Sequence, residues 1–142
     1  MIKIVLTYGT FDLFHYGHYN LLKRAKDLGD YLIVGVSSDA MCIDKGKTPF
    51  LHQDKRMEIV GNLRFVDKVI LEESMAQKVK DVSNFGANIF CLGSDYCETF
   101  PKMPEYKELV ALGCEIVFFE RTPDISSTKL REELSAQKEN QK

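Results

Sequence analysis

Two histidines three residues apart, His15 and His18, have the types and the spacing best suited to chemistry in this sequence. If a helix begins here, both rings lie on the same side of its first turn. Gly17 between them has no side chain, so a ligand can approach the backbone closely. A helix start also offers free N–H groups and a partial positive charge, which favour anions. The pattern therefore predicts a polyphosphate-binding site.

The residues around the histidines support this interpretation. Gly9 and Thr10 follow an apolar run and would place a tight turn and a hydroxyl at the carboxyl end of a strand. For an isolated H-x-G-H pattern, the simpler interpretation would be a surface histidine and a core histidine without a common task. A zinc site is disfavoured, because there is no third ligand nearby and a helix start repels cations.

The elements that must position these residues alternate between strand and helix. Strands are predicted at 3–8, 31–37, 68–71, 89–92 and 115–119, and helices at 19–28, 54–63, 75–85, 105–112 and 126–136. This alternation predicts an α/β fold with a Rossmann-like, doubly wound parallel sheet of five strands in a single domain. Such sheets bind ligands beyond the carboxyl ends of their strands. We therefore expect the site in the loops after Tyr8, Ser37, Leu92 and Phe119.

Size and charge narrow the function classes. The chain has 142 residues, enough for one domain at 1–136 followed by a polar tail at 137–142. Its net charge of −2 and its lack of a basic stripe disfavour a nucleic-acid-binding module and binding to anionic membranes. No apolar run approaches the roughly 20 residues of a membrane helix. Four cysteines without a C-x-x-C pair fit a reducing compartment, so we expect a cytoplasmic protein.

Several segments together resemble a known family. Residues 9–18, G-T-F-D-L-F-H-Y-G-H, resemble the signature of the HxGH nucleotidyltransferases, above all of the cytidylyltransferases. Residues 121–128, R-T-P-D-I-S-S-T, resemble the R-T-E-G-I-S-T-[ST] segment of that family. Residues 64–67 are similar to its R-Y-V-D segment, and 45–47 to its paired lysines. The similarity extends from residue 2 to about residue 134 and is greatest to short bacterial enzymes that use glycerol-3-phosphate.

This resemblance implies a reaction and a set of site residues. CMP would pass from CTP to a small phosphorylated alcohol, most closely glycerol-3-phosphate, giving CDP-glycerol and pyrophosphate. The implied catalytic residues are His15, His18, Lys45 and Arg121. The implied nucleotide-binding residues are Gly9, Thr10, Phe11, His15, Gly17, His18, Lys47, Asp95, Arg121, Thr122, Ile125, Ser126, Ser127 and Thr128. The implied acceptor-binding residues are Asp12, Lys45 and Lys78.

The resemblance also implies a homodimer and a role in making precursors of cell-wall or capsule polymers. Magnesium is expected because triphosphate transfer needs charge neutralisation. No cluster of carboxylates marks a metal site of the protein itself, so CTP's own phosphates would hold most of the ion's coordination.

Some roles stay open at this stage. Asp12 either orients a histidine or caps the helix, in addition to its implied place near the acceptor. Asp95 either reads the nucleotide or shapes a turn. Arg64 and Asp67 form either a structural ion pair or a subunit contact.

Departures from the family pattern leave alternatives. Pro123-Asp124 replaces Glu-Gly, Met75 stands where an aromatic residue is usual, and residues 93–96 read G-S-D-Y in place of G-D-D-W. Phosphocholine, phosphoethanolamine or glycerol-2-phosphate could therefore be the acceptor. An adenylyltransferase such as FAD synthetase would share H-x-G-H and an I-S-S-T-like segment. A non-enzymatic nucleotide sensor is disfavoured, because it should have lost one of His15, His18, Lys47 or Arg121.

Overall fold

The computed structural model describes residues 2–121. Five parallel strands form one sheet: β1 (Ile4–Gly9), β2 (Tyr31–Ser37), β3 (Lys68–Glu72), β4 (Ile89–Gly93) and β5 (Glu115–Phe119). The helices are α1 (Tyr16–Asp27), α2 (Asp39–Asp44), α3 (Gln53–Gly61), α4 (Gln77–Phe85) and α5 (Pro104–Ala111), with 3-10 turns at Ser94–Tyr96 and Phe100–Lys102. The strand order is β3-β2-β1-β4-β5. The predicted α/β fold with a doubly wound five-stranded sheet is confirmed.

The sheet forms because its central strands are apolar on both faces. Val5, Leu32 and Val34 face one core, which α1 and α3 cover. Leu6 and Ile33 face the other, which α4 and α5 cover. A strand buried on both sides needs a continuous apolar run, and β2 supplies one.

Helix ends follow the local signals of the sequence. Gly86 ends α4 with a φ of +65° and Gly113 follows α5 with a φ of +81°, a conformation that glycine adopts at little cost. Helix α1 begins three residues before its predicted start. Helix α2 was not predicted, and the Ser38 side chain caps it by accepting from the Met41 N–H. Within residues 2–121 no helix has the length and apolar character needed to cross a membrane.

The order in which the strands are added to the sheet reverses at β1: β2 and β3 lie on one side of it, and β4 and β5 on the other. Strand β1 pairs with β2 on one side and β4 on the other, in registers that include Gly9–Val36 and Thr7–Cys91. The connections from β1 and β4 leave toward opposite faces, which opens a crevice at the carboxyl end of β1.

A fully buried arginine, Arg56, ties the loops around this crevice together. Its Nε donates to the Leu51 carbonyl at 2.8 Å, and its Nη1 donates to the carbonyls of Thr10 and Ser37 at 2.8 and 2.7 Å. Its Nη2 pairs with Asp39 at 2.7 Å. One guanidinium from α3 thus fixes how the chain leaves both β1 and β2.

A second polar contact excludes one of the two alternatives predicted for Arg64 and Asp67, the ion pair between them. Asp67 pairs with Lys26 at 2.7 Å and accepts from the Leu32 N–H at 2.8 Å, so its ion-pair partner is Lys26 and not Arg64. Burial alone would raise the pKa of Asp67, but these hydrogen bonds lower it below its usual value. The contact joins the start of β3 to α1 and β2.

Arg56→Met should lower the free energy of unfolding by about 3 kcal/mol, because it leaves three carbonyls and one carboxylate without their donor. Urea denaturation measures the change. Lys55→Met, at the exposed neighbouring position, is the matched control and should change stability by less than about 0.5 kcal/mol. Equal effects of the two substitutions would contradict the role assigned to Arg56.

Candidate active site

A cavity of about 390 Å³ opens at the carboxyl edge of the sheet. It lies among the loops after β1, β4 and β5, the start of α1 and the segment after α2. Ten of the predicted site residues line it: Gly9, Thr10, Phe11, Asp12, His15, Gly17, His18, Lys47, Asp95 and Arg121. The loops after Tyr8, Leu92 and Phe119, which were predicted to hold the site, therefore do meet at this cavity. The loop after Ser37 contributes through α2 and the segment that follows it.

The first turn of α1 is capped by the two histidines. His15 is the N-cap residue, and its Nδ1 accepts from the Gly17 N–H at 3.0 Å. In return, His18 Nδ1 accepts from the His15 N–H at 3.2 Å. The two rings stack with centroids 3.9 Å apart. Histidine here does what a Ser and Glu pair does in the usual capping box.

These hydrogen bonds fix the proton positions on both rings. A nitrogen that accepts carries no proton, so each neutral ring is protonated on Nε2. Burial, followed by the nearby Arg121 guanidinium, lowers the pKa of His15. Burial, followed by His15, lowers the pKa of His18 to about 4, although Asp12 acts in the opposite direction. Near neutral pH both of these cavity-lining histidines are therefore uncharged, and each carries an Nε2–H donor.

One of these donors lacks a partner. His15 Nε2 is buried and makes no hydrogen bond to any of residues 2–121. A buried N–H without an acceptor is costly, and such groups in folded proteins usually await a ligand or an ordered water. An oxygen of a bound phosphate would satisfy it.

Backbone strain marks the loop that leads into α1. Phe11 and Leu13 have φ values of +54° and +48°, which residues with a Cβ rarely adopt. Between them, the buried Asp12 carboxylate accepts from the backbone N–H groups of Phe50 and Leu51 at 2.7 and 3.0 Å. Asp12 therefore holds the segment after Lys47 against the histidine loop. It does not cap α1, because His15 does.

Gly9 leaves room for the Phe11 ring where β1 ends. A Cβ at this position would lie 2.8 Å from the Phe11 ring, closer than packing allows. A larger residue here would therefore force the ring to move.

Within residues 2–121, three cationic side chains line the cavity: Arg24, Lys47 and Arg121. Arg121 Nε lies 3.2 Å from Asp95 Oδ2, and both side chains are largely exposed. Asp95 thus lies in the 3-10 turn after β4 and pairs with Arg121 at the surface. Lys47 is exposed at the rim.

Two predicted acceptor-binding residues lie apart from the lining. Lys45 is exposed at the carboxyl end of α2 and does not line the cavity. Lys78 is buried and pairs with the Glu72 carboxylate, which also accepts from Ser37 Oγ at 3.0 Å. Its Nζ lies 4.8 Å from the centroid of the Tyr8 ring. Tyr8 lines the cavity, so Lys78 lies behind that wall.

Thr122, Ile125, Ser126, Ser127 and Thr128 lie outside the described residues, as does the predicted helix at 126–136. Their predicted roles stay predictions. In the described range no three His, Cys, Asp or Glu side chains come together as a metal site.

Arg24 and Cys42 are among the lining residues that were not predicted as site residues from the sequence. Arg24 follows His18 by six residues on α1, and Cys42 lies in α2 with its Sγ 3.9 Å from Thr10 Oγ1. The helical stripe through His18, Leu21 and Arg24 was a usable signal for Arg24. No pattern in the sequence indicated Cys42, because α2 itself was not predicted.

A helix start with two neutral histidines, at the carboxyl edge of a doubly wound sheet, is suited to a ligand that carries phosphate groups. Comparison with known proteins gives the family. The chain belongs to the cytidylyltransferase-like family, whose model matches residues 6–133.

The relatives agree with this assignment. Glycerol-3-phosphate cytidylyltransferase of Bacillus subtilis (strain 168) is 40% identical over 134 residues, covering 94% of this chain and 98% of that protein. The enzyme of the same name from Staphylococcus aureus (strain NCTC 8325 / PS 47) is 39% identical, covering 94% and 96%. A lipopolysaccharide core biosynthesis protein from Thermoplasma volcanium GSS1 superposes with a TM-score of 0.70 at 29% identity, covering 86% and 98%. The resemblance inferred from the sequence is confirmed.

The lowered pKa of His18 predicts a pH dependence of stability. Between about 4, the pKa in the folded chain, and about 6.5, its ordinary value, the unfolded chain binds more protons. The free energy of unfolding should therefore fall as the pH drops from 6.5 to 4, with up to about 3 kcal/mol from this residue. Urea denaturation at several pH values measures it.

His18→Asn is the control for this prediction. Its amide oxygen can accept from the His15 N–H in place of Nδ1, but the side chain cannot be protonated. The difference in slope between the two proteins isolates His18 from the carboxylates, which titrate in both. Parallel curves would contradict the assignment.

Proposed function

We propose that this chain transfers CMP from CTP to a small phosphorylated alcohol, with glycerol-3-phosphate as the first candidate, and releases pyrophosphate. Family membership and the names of the two bacterial relatives support the reaction. The observation that carries it in the structure is the buried His15 Nε2–H without a partner, at the N-terminus of a helix that lines the cavity.

The proposed mechanism needs no nucleophile from the protein. An oxygen of the acceptor phosphate forms a bond to the α-phosphorus of CTP. The bond from that phosphorus to the bridging oxygen breaks, and pyrophosphate leaves with the electron pair. Negative charge grows on the phosphate oxygens during this exchange, so fixed hydrogen-bond donors lower the barrier. His15 and His18 would donate to oxygens of the α- and β-phosphates.

The neutral state of the histidines suits this role. Both Nδ1 atoms are held by backbone N–H groups, so the rings are oriented before the ligand arrives. Donors that need no reorganisation at the moment of reaction contribute most to catalysis. The N–H groups at the start of α1 add further donors close to Gly17.

Different cationic side chains would bind the two substrates. Lys47 would bind CTP phosphates and Arg121 the β- and γ-phosphates, since both line the cavity. Lys45 would bind the acceptor phosphate, which requires its exposed side chain to turn toward the rim. Asp12 and Lys78 would shape the acceptor side, Asp12 through the segment that carries Phe50 and Lys78 from behind Tyr8.

The remaining residues predicted to bind the nucleotide complete the proposal. Gly9, Thr10 and Phe11 would face the nucleotide from the loop after β1, and Asp95 from the turn after β4. Thr122, Ile125, Ser126, Ser127 and Thr128 would contribute from the segment beyond Arg121.

Magnesium fits this site as an ion carried by the nucleotide. Among the described lining residues, both Asp12 oxygens accept backbone N–H groups and Asp95 pairs with Arg121. Glu120 adds one exposed carboxylate to the lining, and one carboxylate is too few for a metal site, so the triphosphate itself would be the main ligand. When bound, Mg²⁺ would neutralise charge on the phosphates. We further propose a cytoplasmic homodimer that supplies precursors of cell-wall or capsule polymers, in line with the family resemblance.

The purified protein should release pyrophosphate with Mg²⁺, CTP and glycerol-3-phosphate, and should release none when the acceptor is omitted. A coupled pyrophosphate assay measures this. Release with ATP in place of CTP would overturn the choice of base. Release with phosphocholine, phosphoethanolamine or glycerol-2-phosphate, and none with glycerol-3-phosphate, would overturn the acceptor.

His15→Asn tests the unpartnered donor directly. Asparagine is a good N-cap residue, so its oxygen should replace Nδ1 and keep α1 intact, while the Nε2–H is lost. We expect kcat to fall about 10²–10³-fold, with an unchanged circular dichroism spectrum and thermal midpoint. Turnover within a fewfold of the unsubstituted protein would contradict the role of His15.

A further inference from the structure

Arg24 is a cavity residue to which neither the motifs nor the proposed mechanism gives a task. It lies on α1 six residues after His18, about 9 Å further along the helix axis, and it lines the cavity together with His18 and Leu21. The neighbouring Lys23 is also exposed but does not line the cavity. Of these two adjacent cations, only Arg24 is therefore on the side of the helix that lines the cavity.

The Arg24 guanidinium makes two contacts with the carboxyl end of β5. Its Cζ lies 4.6 Å from the centroid of the Phe119 ring. Its Nη1 donates to the Glu120 carbonyl at 3.2 Å. A planar guanidinium can stack on an aromatic ring and donate in its own plane at the same time, which a lysine ammonium cannot do.

These contacts lie directly before Arg121. The last register pair of β4 with β5 is Gly93–Phe119, so Glu120 and Arg121 extend beyond the sheet ladder. The Arg121 side chain is 64% exposed, and its Asp95 partner is 51% exposed. An exposed ion pair of this kind contributes little to holding a chain in place. The contact from Arg24 to Glu120 is therefore well placed to fix the backbone from which Arg121 projects.

We propose that Arg24 is a positioning residue that holds the Phe119–Arg121 segment so that the Arg121 guanidinium faces a bound polyphosphate. Bidentate recognition of phosphate by arginine depends on a fixed angle of approach. Arg24 would fix this angle from α1, the same helix whose first turn carries His15 and His18. One rigid helix thus sets both ends of the phosphate site. This inference rests on the proposed function only in taking a polyphosphate as the ligand of Arg121.

A double-mutant cycle on pyrophosphate binding tests the inference. Arg24→Gln, Arg121→Gln and the double variant are compared with the unsubstituted chain, using isothermal titration with Mg²⁺ and pyrophosphate. We expect Arg24→Gln alone to raise the Kd for pyrophosphate about tenfold. In the Arg121→Gln background the same change should alter the Kd by less than twofold, because Arg24 acts through Arg121.

Two further variants separate positioning from charge and from stability. Lys23→Gln removes the same charge one residue away and should leave the Kd within twofold. Arg24→Lys keeps the charge but loses the combined stacking and hydrogen bond, so it should resemble Arg24→Gln. Thermal midpoints of all variants should stay within a few degrees of the unsubstituted chain.

A tenfold loss in both backgrounds would overturn the inference, because Arg24 would then act on the ligand itself. An unchanged Kd in Arg24→Gln, full rescue by Arg24→Lys, or failure of the unsubstituted chain to bind pyrophosphate would also overturn it. Turnover of CTP and glycerol-3-phosphate by the unsubstituted chain is measured alongside. That result decides the proposed function separately, because the binding cycle needs no turnover.

Discussion

The reciprocal cap between His15 and His18 is the interaction on which the site depends. Each ring uses Nδ1 to accept from a backbone N–H at the start of α1, which leaves the proton on Nε2. The bonds that begin the helix therefore select the tautomer and orient the rings, and burial keeps the rings neutral. The same two side chains thus begin the helix and serve the site, and the loop before them has left-handed backbone at Phe11 and Leu13.

The rest of the molecule holds this turn in place from several directions. Arg56 joins the ends of β1 and β2, and Asp12 fastens the segment that bears Lys47 to the histidine loop. On the other side, Arg24 reaches the end of β5. Each anchor is a polar side chain that binds backbone groups of a neighbouring loop. The sheet determines where the loops begin, and these contacts determine the path of the loop backbone.

Much of this organisation could be predicted from the sequence, and the failures have physical causes. The bounds of β2 and β5 were predicted correctly because continuous apolar runs leave little ambiguity. The six-residue α2 was missed because so short a segment shows no helical period. Lys78 resembles a surface lysine in the sequence, and its burial against Glu72 depends on three strands ending side by side. The ion pair of Asp67 with Lys26 was not predicted either, because contacts between distant elements leave no local pattern in the sequence.

The cavity lining has a consequence for how its ligand arrives. Among the described lining residues, the cations Arg24, Lys47 and Arg121 are matched by Asp12, Asp95 and Glu120, and the two histidines are neutral near pH 7. The described walls thus carry no net charge, and the attraction for an anion comes from oriented N–H groups at short range. The part of the site that residues 2–121 form therefore adds no long-range field to draw in free polyanions. Association should respond weakly to ionic strength and should favour a nucleotide whose charge a metal ion has already reduced.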